Sequence, residues 1–173
     1  AEIIAHAVWL YHCFSLSLRE VETIPAQRGT IVSYECIRAW GLRFGRAFAN
    51  TLKKRRPRPG DKWHLDEVFI RIGGKLHYLW RAVDDEGEVL EVLVQRRRNK
   101  AAAYKLMRKL LRKQGFAPTR VTTDKLRSYG AAFKEIGLSA EHDQGARQNN
   151  RAEVSHQPLR RRERKMQRFK SPG

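Results

Sequence analysis

Cysteine is nearly absent. Only Cys13 and Cys36 occur in 173 residues, with no CxxC spacing and no second pair. That argues against a disulfide framework and a thiolate zinc site, and it fits a reducing compartment. Long apolar runs are missing too: no stretch approaches the roughly 18 apolar residues of a membrane span. The opening "AEIIAHAVWLYHCF" has neither a basic leader nor a small-residue cleavage site, so a soluble protein without membrane association is expected. Negative charge is scarce, with 18 Asp plus Glu against 36 Lys plus Arg, a formal net charge of +18 and a pI near 10.7. Such an excess favours a polyanionic partner, nucleic acid first, over a merely solvated basic surface or an anionic membrane. The chain starts at Ala1 and stops at "FKSPG" with no obvious cap, which reads as a piece of a longer frame.

Two periodicities divide what is there. Ile3, Ile4, Ala7, Val8, Leu10, Tyr11 and Phe14 recur at helical spacing. "SLRE" then predicts a second helix capped by Ser17, with Glu20 reaching back. A turn at Gly29 and an N-cap at Ser33 predict a third helix carrying Ile37, Trp40 and Phe44. Three short helices with a glycine turn before the last suggest a helix-turn-helix DNA reader over residues 1–50. Pro25 should leave the second helix short or distorted, since proline removes a hydrogen bond and clashes with the preceding turn. "KKRRPRPGDK" reads as a basic, proline-stiffened linker over 51–61, in which Lys53, Lys54, Arg55 and Arg56 can lie along phosphates or simply be solvated.

Beyond it the period becomes two. "HLDEVFIRI", "KLHYLWRAVD" and "EVLEVLVQ", separated by "GG" and "DDEG", predict a three-stranded antiparallel meander. "NKAAAYKLMRKLLRKQG" predicts a helix, "TRVTTD" a fourth strand, "SYGAAFKEIG" a short helix and "LSAEHD" a fifth strand. "NNRAEVSHQPLRRRERKMQRFK" reads as one last, very basic helix. The expectation is an α/β domain with a mixed sheet over 62–173.

In that domain Asp66 shares a strand face with Val68, Ile70 and Ile72, and Asp124 ends an apolar strand. Acids in such places need a cation or hydrogen-bond donors. Two acids on neighbouring strands can share a Mg²⁺, which prefers hard oxygen ligands. Holding two metals takes a third acid, and Glu153 in the first turns of the last helix is the best placed. Arg160, seven positions on, would share its face of a continuous helix. Each acid also has a plainer reading: Asp66 as a strand-end acceptor, Asp124 as the N-cap of the helix that follows, Glu153 as a partner for nearby arginines. Together they suggest metal-dependent phosphoryl transfer on nucleic acid.

"WHLDEVFIRIGGKLHYLWRAVDDEGEVLEVLVQRRRNKAAA", "VTTDKLRSYGAA" and "NNRAEVSHQPLRRRERKMQRFKSPG" strongly resemble the transposases of bacterial insertion sequence family six. "IIAHAVWLYHCFSLSLREVE" and "VSYECIRAW" resemble the helix-turn-helix that precedes their catalytic domain. The resemblance implies an RNase H-like catalytic domain with a DDE triad of Asp66, Asp124 and Glu153 using two Mg²⁺ ions, or Mn²⁺ in their place. It further implies binding to terminal inverted repeats and target DNA, movement through cointegrates, a homodimer or larger synaptic assembly, and a bacterial cytoplasmic, nucleoid-associated location. Arg160 matches the basic residue expected two turns after the glutamate. Glu67 is set aside because it points to the opposite strand face, and Glu163 because it lies within the arginine run.

On this reading Lys125, Arg127, Arg160, Arg161, Arg162 and Lys165 contact DNA phosphates. Tyr34, Glu35 and Arg38, near the start of the third helix, read bases or form a plain exposed surface. Members of the family carry leucine or a similar residue where Pro25 stands, and they extend past "FKSPG". Both departures leave room for an inactive, DNA-binding remnant that occupies inverted repeats. A basic RNA-associated protein ranks last, since no RRM-type aromatic signature is present.

Overall fold

The structure, a computed structural model, describes residues 2–56, 58–124, 126–145 and 149–170. The chain divides into two compact units, Ala1–Pro57 with Arg161–Gln167, and Arg58–Arg160 with Arg168–Gly173. Among the described residues no helix is long and apolar enough to cross a membrane.

The first unit holds α1 (Glu2–Cys13), α2 (Leu18–Ala26) and α3 (Tyr34–Lys54). The capping box at Ser17 forms as expected: Glu20 N donates to Ser17 Oγ at 3.2 Å, and Ser17 N donates to Glu20 Oε2 at 2.6 Å. Ser33 caps α3 by accepting from Cys36 N. Buried Ala7, Leu10, Val21 and Ile37 are the core of the unit, with Tyr11 and Trp40 packed against it. α2 runs through Pro25 and ends one residue later, so the proline shortens the helix rather than preventing it. The Pro25 carbonyl then accepts from Arg28 N and Thr30 N across the turn at Gly29. α3 continues to Lys54, so the first part of the expected linker is helical. In the same unit Arg162 donates to the carbonyls of Tyr11 and Phe14 at the end of α1 and lies over the Tyr11 ring. A cation suits unsatisfied carbonyls at a helix C-terminus.

The second unit is built on a five-stranded sheet of order β3-β2-β1-β4-β5. β1 (Lys62–Ile72), β2 (Lys75–Asp84) and β3 (Val89–Gln95) form the expected antiparallel meander. β4 (Arg120–Thr123) and β5 (Glu141–Gln144) add in parallel. Gly73 and Gly74, at φ +54° and +78°, make the two-residue turn between β1 and β2. α4 (Lys100–Gln114) starts at Asn99, whose side chain accepts from Ala102 N, and α5 (Arg127–Ile136) follows β4. Trp63, Leu65 and Trp80 from the strands meet Leu106, Leu110, Tyr129 and Phe133 from these helices in one buried cluster. A smaller cluster of Ile70, Ile72 and Leu79 is covered by Leu159 and Phe169.

The last helix is not continuous. α6 (Asn150–Ser155) and α7 (Gln157–Lys165) are separated at His156. Pro158 explains the break, because a proline inside one long helix would clash with the carbonyl four residues back, whereas the first turn of a new helix accepts it. Glu153 on α6 and Arg160 on α7 therefore do not belong to one unbroken helix. Arg160 lies over the Phe69 ring, 4.7 Å from its centroid.

Leu106, fully buried between α4 and the sheet, sets a quantitative expectation. Leu106→Ala should cost about 2–5 kcal/mol, read as faster hydrogen exchange at the β1 amides.

Candidate active site

Parallel pairing sets Leu65 opposite Thr123, so Asp66 lies beside Asp124, the residue that follows the end of β4. One carboxylate oxygen from each of Asp66, Glu67 and Asp124 falls within 4.8 Å of the others. The first two strand acids expected from sequence thus come together, and Glu67 joins them. Setting Glu67 aside rested on strand alternation, which separates it from Asp66. Asp124 lies beyond the last β4 residue, where alternation no longer dictates direction, and a carboxylate there can approach both.

Glu67 is held from two sides. The Tyr129 hydroxyl donates to Oε2 at 2.8 Å, and Arg98 Nε donates to Oε1 at 2.6 Å. Arg98 also reaches Asp124, its Nη2 lying 3.1 Å from Oδ2. The other Asp124 oxygen accepts from Leu126 N at 3.0 Å; Leu126, not Asp124, is the N-cap of α5, and no side chain caps that helix. Burial pushes the Glu67 carboxyl up to about 7; Tyr129 opposes the rise, the Asp124 charge adds to it, and Arg98 opposes it. Burial likewise raises the Tyr129 hydroxyl well above its ordinary value, which keeps it a hydrogen-bond donor.

α6 approaches Asp66 from another direction. The buried Asn149 donates from Nδ2 to the Leu65 carbonyl at 2.8 Å, tethering the helix start to β1. His156, 6% exposed, places Nε2 3.2 Å from Asp66 Oδ2. The angle there is not that of a hydrogen bond, so this is close approach of ring and carboxylate. Glu153 is exposed on α6 and is not part of the three-carboxylate set found among the described residues.

The expected DNA-contacting residues fare unevenly. Tyr34 donates to Glu35 and lies under Arg19, while Arg38 is exposed. Lys53, Lys54, Arg55, Arg56, Arg127 and Arg161 are exposed. Arg162 is engaged with α1, and Lys165 pairs with Glu20 at 2.5 Å. Lys125 lies outside the described residues. Sequence reasoning passed over Arg98, Tyr129, Asn149 and His156. The spacing of His156, three residues after Glu153, was a usable signal, whereas Arg98 in "QRRRN" looks like any solvated charge.

A DDE domain family matches residues 60–172, more than half of the chain and all of the carboxylate site. The chain belongs to the DDE transposases of insertion sequence family six. It is 30% identical over 135 residues to the transposase for insertion sequence-like element IS431mec of Staphylococcus aureus, covering 78% of this chain and 60% of that protein. The same figures hold for the transposase for insertion sequence element IS257 in transposon Tn4003, also from Staphylococcus aureus. The chain therefore spans about 60% of the length of these relatives. Among solved structures, the HTLV-2 integrase catalytic core domain in complex with magnesium aligns at a TM-score of 0.49 and 16% identity, over 59% of this chain and 68% of that one.

The raised Glu67 carboxyl has a consequence for stability. Its folded value of about 7 exceeds the ordinary 4.5, so the stability contributed by the protonated form is fully present below the ordinary value. That contribution is lost as pH rises through the folded one. Relative to Glu67→Gln, the unaltered protein should lose on the order of 3 kcal/mol between about pH 4.5 and 8, with a flat difference above that. Urea unfolding across this range, with chelator present, measures it.

Proposed function

We propose that this chain carries the catalytic centre of a transposase that binds terminal inverted repeats and performs metal-dependent DNA cleavage and strand transfer. The juxtaposition of Asp66 and Asp124 on paired parallel strands, inside the matched DDE domain, is the observation that carries the reading. The donor chemistry fits a hard divalent cation: carboxylate oxygens, partly open to solvent, with Asp66 16% and Asp124 33% exposed. Asp66, Asp124 and Glu153 would hold Mg²⁺, or Mn²⁺ in its place, as two ions. Such ions supply charge stabilisation at the attacking and leaving oxygens.

The support for Glu153 comes from α6. It precedes His156 by three residues, and residues three apart are neighbours on a helix surface. His156 touches Asp66, which supports Glu153 as the acid of α6 closest in sequence to that contact. In hydrolysis a bond forms from water oxygen to phosphorus and the bond to the 3′ oxygen breaks, that oxygen leaving as a hydroxyl. The freed 3′-hydroxyl then attacks a target phosphodiester in the same way. The RNase H-like assignment is supported by the order of three antiparallel strands followed by two parallel ones.

α1 to α3 serve as the helix-turn-helix in this reading, with Tyr34, Glu35 and Arg38 at the start of α3 facing bases. Lys53, Lys54, Arg55, Arg56, Lys125, Arg127, Arg160 and Arg161 serve phosphates, with Lys53 to Arg56 at or just past the end of α3. Arg162 and Lys165 support α1 and α2 instead. The working form is a homodimer or larger assembly on DNA, in the bacterial cytoplasm. A DNA-binding remnant without catalysis is the second reading, favoured by the exclusion of Glu153 from the close carboxylate set.

Calorimetry with Mn²⁺ tests the site directly. Asp66→Asn and Asp124→Asn should each weaken binding by about tenfold or more, and Glu153→Gln should do likewise. All three should abolish joining of a labelled end duplex to a plasmid. Metal binding insensitive to Glu153→Gln, with tight end binding and no joining by the unaltered chain, establishes the remnant instead.

A further inference from the structure

Arg98 makes an asymmetric bridge. On one side its Nε and Nη2 lie 2.6 and 2.5 Å from Glu67 Oε1, and that carboxylate is 1% exposed and gripped from behind by the fully buried Tyr129. On the other side a single 3.1 Å contact joins Nη2 to Asp124 Oδ2, between side chains 42% and 33% exposed. The Glu67 arm is an anchor. The Asp124 arm is exchangeable, since exposed ion pairs are weak.

Asp124 has little to spare. Oδ1 accepts from Leu126 N, and Oδ2 faces Arg98. A divalent cation drawing on Oδ2 meets a fixed guanidinium at the same atom, and like charges repel strongly when both are close to a partly buried carboxylate. Arg98 is also the last of three consecutive arginines between β3 and α4, and Arg96 and Arg97 are exposed. A guanidinium fork pairs readily with phosphate.

We propose that Arg98 is a resident counter-ion of the carboxylate cluster, competing with the divalent cation for Asp124 and exchanging Asp124 for a DNA phosphate. Metal loading and DNA binding are thereby coupled: phosphate takes the guanidinium, and Asp124 becomes available to the cation. Glu67 and Tyr129 are positioning residues in this scheme, holding Arg98 within reach of both anions. The inference rests on the reading that Asp66 and Asp124 hold the cation.

The test is Mn²⁺ calorimetry on the full chain, with and without a short duplex. Arg98→Gln should bind Mn²⁺ about tenfold more tightly without DNA, and the gain in Mn²⁺ affinity on adding duplex should shrink by a similar factor. Arg98→Lys, which keeps the charge, should stay within about threefold of the unaltered protein without DNA. Unchanged or weaker binding in Arg98→Gln overturns the proposal, and so does tightening in Arg98→Lys equal to that in Arg98→Gln. Asp124→Asn separates the two levels. If it leaves Mn²⁺ binding unaltered, the metal reading and this inference fall together; if it weakens binding while Arg98→Gln gives no gain, only this inference falls. An independent readout uses the unaltered protein: the Arg98 Nε–H resonance should shift on Mg²⁺ addition, and a resonance that does not move overturns the exchange.

Discussion

The parallel pairing of β1 with β4 is the constraint on which the carboxylate site depends. β4 has four residues, too few to hold its place by backbone bonds alone, yet it must deliver Asp124 beside Asp66. It is kept there by apolar burial: Val121 is fully buried with Trp63 and Leu65 of β1 in the cluster that α4 and α5 cover. Thr123, also fully buried, spends its hydroxyl on the Asp124 carbonyl at 2.8 Å. Side chains one and three residues upstream thus set the position of a carboxylate that is itself partly open to solvent. A rigid strand end next to an accessible acid is the arrangement in which a ligand gains most from preorganisation.

Electrostatics at this strand end work against the fold as well as for it. Burial of Glu67, through its desolvation cost, is the main reason its carboxyl is pushed up to about 7, and the charge of Asp124, within 4.8 Å, adds to the rise. Arg98 and Tyr129 return part of that cost. The same cluster would be neutralised more completely by a divalent cation, so stability and cation affinity draw on one source of strain. Sites whose acids conflict in this way are the ones expected to be functional rather than structural.

Period and turn chemistry made most of the second unit legible. Alternation in "HLDEVFIRI" and "KLHYLWRAVD", with two glycines between, specifies β1, β2 and their hairpin, and Asn99 with Gly115 brackets α4. The Ser17 capping box was readable for the same local reason. Contacts made across long sequence separations were not. Asn149 reaches Leu65 over 84 positions and Tyr129 reaches Glu67 over 62, and no local pattern marks either residue. The split of the last helix was legible in principle, because Pro158 stands in plain view, but good helix formers on both sides, such as Ala152 and Glu153 before it and the arginine run after it, masked it. Glu67 marks the limit of strand alternation: neighbouring side chains leave the strand on opposite faces, yet the carboxylates of Asp66 and Glu67 still come within 4.8 Å of each other and of Asp124.

Net charge poses a related problem. A formal +18 suggests a uniformly cationic surface, yet several of the cations have internal work. Lys109 and Lys113 both pair with Glu91, Arg120 with Glu141, Lys100 with Glu135, and Lys165 with Glu20. Arg162 satisfies carbonyls at the end of α1. A cation already bound to a protein acceptor must be released before it can meet a phosphate, and counterion release by DNA counts only the charges that make the exchange. Under the proposed function, the cations open to a phosphate without first leaving a protein acceptor would be sought among exposed ones such as Arg96, Arg97, Arg127 and Arg161. To them is added Arg98, whose contact with Asp124 is partly exposed although its contact with Glu67 is buried. Of these, Arg98 alone touches the cluster where phosphoryl chemistry would occur, which makes it the point at which the basic surface and the acidic site meet.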